Sequence, residues 1–453
     1  MSRWFAGQYW LVVAGACFFG IYVCFVYDTQ RESTATQQLR KADICTSIEE
    51  LKAKFSSEPK EDNGAFLYLQ AMDALRFLGE AREDDLPIAG FLEYEYGQPL
   101  TSAQREALHA YVALNEPVIN LILEAQKYSF FRLPESRYDT FELKYLARSR
   151  ELGRLLSCAA LDAALSGDMG GTDRMVTAGL RLPQVLFEGG MLIDTLVVNS
   201  LRFMAISSIQ DCLLRAVSAK ETLRTWLHLL SQEQYTTFYA QQDALRNETS
   251  LYNRYYTLEY SYIFGVELNY RFQMLGMKLA SEWTQYNYFV HNQYIQIMKA
   301  MINLADKDPY TAVTMAEKEF EKVSKLSGPR YVLNAIILPA LARVYSSYVR
   351  GMAEATVART ALASLLYRED HGRMPESLEV LVPDYLAVPP RDPFTPDCIL
   401  GYKVTDTQAI FYSVGPDQDD DGGKKYERPN LEDGDIVFRV PVQKPEASDQ
   451  ALS

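Results

Sequence analysis

With 453 residues, 48% of them hydrophobic and 23% charged, the chain is long enough for two or three domains and too apolar for wholesale disorder. A net charge of −14 without a basic stripe argues against nucleic acid, whose affinity comes mainly from Lys and Arg neutralising phosphates. Six cysteines without a C-x-x-C pair argue against a zinc ribbon or thioredoxin-like site, and they read as buried free thiols.

Residues 9–27 hold no charge and are rich in Leu, Val, Phe and Ile. As a helix they would run about 28 Å, enough to cross a hydrocarbon core. Trp4, Tyr9, Trp10 and Tyr27 stand near the ends, where amphipathic rings favour the interface. The rival reading is a cleaved signal peptide ending at Ala14-Gly15-Ala16, with Cys17 as a lipidation candidate. Residues 18–27 stay apolar beyond that point, which favours an uncleaved signal-anchor. The expectation is a transmembrane anchor over 1–30, the N-terminus in the cytoplasm and the bulk of the chain outside. A polar tether with an entry helix follows over 31–63.

Residues 64–370 show apolar positions recurring at three and four, the period of a helix. Thr101 with Gln104 forms a capping box for a helix running to about residue 127. A helix over 141–165 stops at Ser166-Gly167-Asp168, and Gly170-Gly171-Thr172 opens the next. Gly189-Gly190 interrupts before an apolar helix over 191–217. Ser218 with Glu221 is a second capping box, for a helix through Leu230. Further helices are expected at 231–247, 266–304 and 309–326, and a last long one at 330–367. The predicted fold is mainly α, an all-helical domain of antiparallel hairpins without a regular repeat.

After Asp370-His371-Gly372 the texture changes. Prolines cluster and β-branched alternation replaces the helical period. A short helix is expected over 374–381, then strands at 399–404, 409–413 and 435–440. These form a small α+β module over 371–441 with a three-stranded antiparallel sheet, the helix over about 330–370 leading into it. Residues 442–453 read as a disordered tail.

The usual catalytic templates are missing: no G-x-S-x-G, H-E-x-x-H, Walker loop or G-x-G-x-x-G occurs. His109, His228, His291 and His371 have no companion at metal-ligand spacing. No catalytic residue is assigned, and no organic cofactor is implied. Nine tyrosines and Trp283 between Tyr252 and Tyr294 read as helix packing, with a glycan-binding or hydrolytic surface as the alternative.

The loop between the last two strands is the most specific feature. Asp417-Gln418-Asp419-Asp420-Asp421-Gly422 has the D-x-D-x-D-G spacing in which alternate carboxylates surround a hard cation and glycine permits the bend. Position 12 of an EF-hand, counted from Asp417, is Arg428, so a helix–loop–helix hand is excluded. The missing ligands then come from Asp433 or Asp435. Close carboxylates repel by about 1 kcal/mol or more per pair without a cation, which favours calcium.

Several short motifs around this loop resemble the major pseudopilin of type II secretion. They are Tyr367 to Pro375, Ser377-Leu378, Pro390-Arg391-Asp392-Pro393-Phe394, Tyr412-Ser413-Val414-Gly415-Pro416-Asp417 and Asp435-Ile436. The resemblance implies a long helix, a three-stranded sheet and a structural calcium ion. Its ligands would be Asp417 and Asp435 with main-chain oxygens near Ser413 and Val414, and Asp419, Asp421 and Asp433 as further candidates. The chain departs from that family at its start, where Gly7 is followed five residues on by Val12 rather than glutamate. The whole layout is similar to bacterial envelope proteins with one span, a helical domain and a pseudopilin-like end. The combined expectation is a calcium-stabilised binding or scaffolding protein of the bacterial inner membrane, single-pass and mostly periplasmic, with unidentified protein partners. Accessory pseudopilin and glycan-directed enzyme are the alternatives.

Overall fold

The computed structural model describes residues 62–78, 86–87, 95–129, 131–133, 144–187, 192–215, 219–232, 332–425 and 434–443, together with isolated residues between 40 and 53 and between 246 and 321. The elements are α1 (Ala65–Ala74), α2 (Ser102–Leu114), α3 (Glu116–Ala125), α4 (Lys144–Leu165), α5 (Met169–Arg181), α6 (Gln184–Phe187), α7 (Leu192–Arg215), α8 (Lys220–Leu230) and α9 (Val332–His371). A 3-10 turn (Leu378–Leu381) then leads to β1 (Gly401–Val404), β2 (Gln408–Ser413) and β3 (Ile436–Pro441).

Local chemistry sets most helix ends. Thr101 accepts from the Gln104 N–H and the Gln104 side chain accepts from the Thr101 N–H, so the capping box forms as spaced. The helix it starts ends earlier than expected. Pro117 has no N–H to donate to residue 113, and α2 breaks at Asn115. The Asn115 side chain accepts from Arg76 N–H and donates to Arg76 and Tyr111 carbonyls, tying the break to the end of α1. Asp168 caps α5 by accepting from Gly171 N–H at 2.8 Å. The second expected box does not form as read: the N-cap of α8 is Ala219, without a side-chain cap bond.

Small residues let α4, α5 and α7 pack closely. A Cβ on Gly153 would fall 2.7 Å from Leu201 Cδ2, and Ser208 donates to Ser157 at 2.8 Å across the same interface. The C-terminal half of α9 is buried on several faces: Ala355, Val357, Ala358, Ala361, Leu362 and Leu365 are all covered. Thr360 and Ser364 hydroxyls satisfy themselves on carbonyls four residues back, so their burial is inexpensive.

The sheet has the order β1-β2-β3, all antiparallel, with Phe411 opposite Phe438 and Ser413 opposite Ile436. Its alternation places Ala409, Phe411, Phe438 and Val440 in the same hydrophobic core as the helices. Arg368 near the end of α9 donates to the Pro441 and Val442 carbonyls, and the Arg439 N–H of β3 donates to Gln210 of α7. The acidic loop is therefore mounted on a sheet continuous with the helical core.

One expectation is corrected. Among the described residues, no helix is long and apolar enough to cross a membrane. The long helices are interrupted by charge: α7 carries Asp194, Arg202, Asp211 and Arg215, and α9 carries Arg350, Glu354, Arg359 and Arg368. Residues 9–27, where the signal-anchor was expected, lie outside the described residues. The transmembrane element of the fold class and the single-pass inner-membrane placement are corrected to that extent: no described helix supplies the span. The helices expected at 266–304 and 309–326, the tyrosine-rich stretch and the tail also lie, wholly or mostly, outside the described residues.

Candidate metal centre

Two buried carboxylates organise the end of the sheet. Asp392 is 2% exposed. It accepts from Ser413 Oγ at 2.7 Å, from Phe394 N–H at 2.9 Å and from Val414 N–H at 2.9 Å. One carboxylate thus satisfies an Asx turn in its own Pro-flanked segment and pins the end of β2. Ser413 in turn accepts from Gly415 N–H. Gly415 has φ +76, and a Cβ there would lie 2.8 Å from the Gly434 carbonyl oxygen, so the two loop ends meet where only glycine fits.

Asp435, the residue before β3, is fully buried. Its Oδ2 accepts from Gly423 N–H at 2.5 Å. Among the described residues, its Oδ1 is buried with no hydrogen-bond partner. Burial pushes the carboxyl up to about 6. The charges of Asp420 and Asp421 add to that shift, and the Gly423 and Asp421 N–H groups oppose it.

Asp417, Asp419 and Asp421 are exposed, and Asp433 lies outside the described residues. Asp417 accepts from Gly434 N–H at 3.0 Å, closing the loop, and from Asp419 N–H at 3.3 Å. Asp420 accepts from Gly422 N–H at 2.8 Å. Positive charge also reaches the loop: Lys403 Nζ donates to the Gly422 carbonyl at 2.8 Å, and Arg439 donates to the Gly423 carbonyl at 3.0 Å. These contacts relieve part of the carboxylate repulsion that favoured a cation from sequence.

The structure brings Asp435 into the field of Asp420 and Asp421, with Asp417 bridging the loop ends. Ser413 and Val414 offer their hydroxyl and N–H to Asp392, a partnership that the sequence reading missed. The Pro-flanked aspartate in Pro390-Arg391-Asp392-Pro393 was the available signal. Asp420 was also missed; its charge reaches Asp435 and Tyr412, whose phenol is pushed up to about 12, first by burial and then by Asp420.

An all-oxygen donor set is the chemistry of a hard cation, and an orphaned buried carboxylate oxygen is the atom a cation would satisfy. The residues fit calcium in that sense. Among the described residues, no group of three or more His, Cys, Asp or Glu side chains is already arranged to hold a metal. The one preformed element is Asp435 Oδ1. No family model, curated protein or solved structure matches the chain.

Proposed function

We propose that this is a binding or scaffolding protein whose C-terminal sheet is locked by calcium at the β2–β3 loop. The observation that carries the reading is the Oδ1 of Asp435, buried and unpartnered among the described residues, beside a loop of exposed aspartates. Asp435 would supply the inner ligand and Asp417, Asp419, Asp420 and Asp421 the outer oxygens. The ion would neutralise the loop and clamp Asp435 to it, adding its binding energy to folding. A long helix leading into a three-stranded sheet, with an acidic loop between the last two strands, supports the pseudopilin-like reading of this end of the chain.

Titration calorimetry of the full chain with calcium chloride tests the proposal. Saturable binding is expected for the wild type, lost in Asp435→Asn and weakened in Asp417→Ala. Absence of heat up to millimolar calcium, or equal affinity in all three proteins, would sink the reading.

A further inference from the structure

A second feature shares no residue with the acidic loop. A cleft of about 490 Å³ opens between α8 and the C-terminal end of α9, within the size range of small-ligand sites. Lys220, Arg224 and His228 follow one another at intervals of four, so α8 presents them as one stripe, and all three line the cleft. The opposite wall carries Asp370, Asp384 and Tyr385, and Leu366 and Leu227 give it an apolar floor.

The two walls are already joined at one end. Lys220 is ion-paired with Asp370, whose other oxygen accepts from the Tyr385 hydroxyl at 2.9 Å. That pair is spent on holding the cleft's shape. The remaining groups are available. Among the described residues, Arg224 forms one ion pair, with Glu221, an exposed pair three residues apart at 2.6 Å, and its charge also reaches Asp370. Such pairs contribute about 0.3–0.5 kcal/mol and exchange readily for a better partner. Among the described residues, neither the His228 ring nor the Asp384 carboxylate has a hydrogen-bond partner. A cation that can form a bidentate pair thus stands on one wall, and an unmatched carboxylate on the other.

We propose that this cleft binds a small zwitterion of the free amino-acid or short-peptide class, with its carboxylate on Arg224 and its ammonium on Asp384. His228 donates a further hydrogen bond to the carboxylate, and Leu366 and Leu227 meet the apolar part of the ligand. A dense anion such as phosphate is disfavoured by Asp384, and a simple cation by Arg224.

The test is ligand-observed NMR on the full chain with a mixture of free amino acids and a random tripeptide library, followed by calorimetry on the strongest hit. Saturable binding is expected, weakened at least tenfold by N-acetylation or by C-terminal amidation of the hit. Arg224→Ala and Asp384→Asn, both exposed positions with little effect on folding, should each weaken it to a similar degree. Binding of the blocked and unblocked forms with equal affinity would overturn the proposal. So would indifference to both substitutions, stronger binding of inorganic phosphate, or no saturable binding at all. Far-ultraviolet circular dichroism of both variants checks that a lost signal is not a lost fold.

Discussion

Asp435→Asn should stabilise the calcium-free protein near neutral pH, although it alters a fully buried residue. In the absence of cation, the folded protein holds the Asp435 carboxyl at about 6, against 3.8 for the free group. Ionising it inside the fold therefore costs on the order of 1–3 kcal/mol. The unfolded chain, which ionises near 4, bears no such cost. Below about pH 4 the group is protonated in both states and contributes nothing. Between about pH 4 and 6 the folded protein binds more protons than the unfolded chain, so stability falls as pH rises through that window. Above it the full cost is present. Asparagine keeps the shape, retains an acceptor for the Gly423 N–H, and replaces the orphaned oxygen with an NH2 near Asp420 and Asp421. Urea unfolding at pH 8 in excess chelator should show a gain of about 1–3 kcal/mol for the variant. The variant should also lose the wild type's pH dependence between pH 4 and 6. Calcium should raise the wild-type midpoint at pH 8 and leave the variant unchanged. A variant less stable than wild type in chelator would refute the reasoning, because Asp435 would then be satisfied by contacts that the ionised form requires.

Asp392→Ala should cost about 2–4 kcal/mol in urea unfolding, because the buried Phe394 N–H and the half-buried Val414 N–H both lose their acceptor. A loss under about 1 kcal/mol would mean that the end of β2 is held by other contacts. Gly415→Ala should cost about 1–3 kcal/mol and lower calcium affinity, since φ is +76 and the added Cβ meets the Gly434 carbonyl oxygen. Denaturation and calorimetry on the same preparation read both effects, and an alanine variant with wild-type calcium affinity would separate the turn from the site.

The elements governed by neighbours a few residues apart were legible. Thr101 and Gln104 lie three residues apart, and their reciprocal bonds need nothing beyond one turn of helix. The β2 and β3 strands show the two-residue period, and their pairing follows once Phe411 and Phe438 both seek the core. The break at Asn115 was missed although Pro117 announces it, because the apolar period continues across it and was given more weight. Ser218 was read as a cap because its spacing to Glu221 matches the box, whereas the helix begins one residue later. The membrane-spanning expectation rested on hydropathy in residues outside the described part, and the described helices, laced with charge, give it no support.

For the acidic loop, the sequence alone determined that carboxylates crowd between two strands beside obligatory glycines. Only the tertiary structure decided their unequal standing: Asp417, Asp419 and Asp421 face solvent, whereas Asp435 is sealed off with one oxygen unmatched. It also decided that Ser413 and Val414 bond to Asp392, 21 and 22 residues upstream. Nor could spacing reveal the cleft, whose walls Lys220 and Asp370 stand 150 residues apart. Hydrogen bonds within a turn depend on residue order, which the sequence states outright. Burial and the field at a carboxylate depend on which distant element covers it, and that is settled only when the helices and the sheet close around a common core.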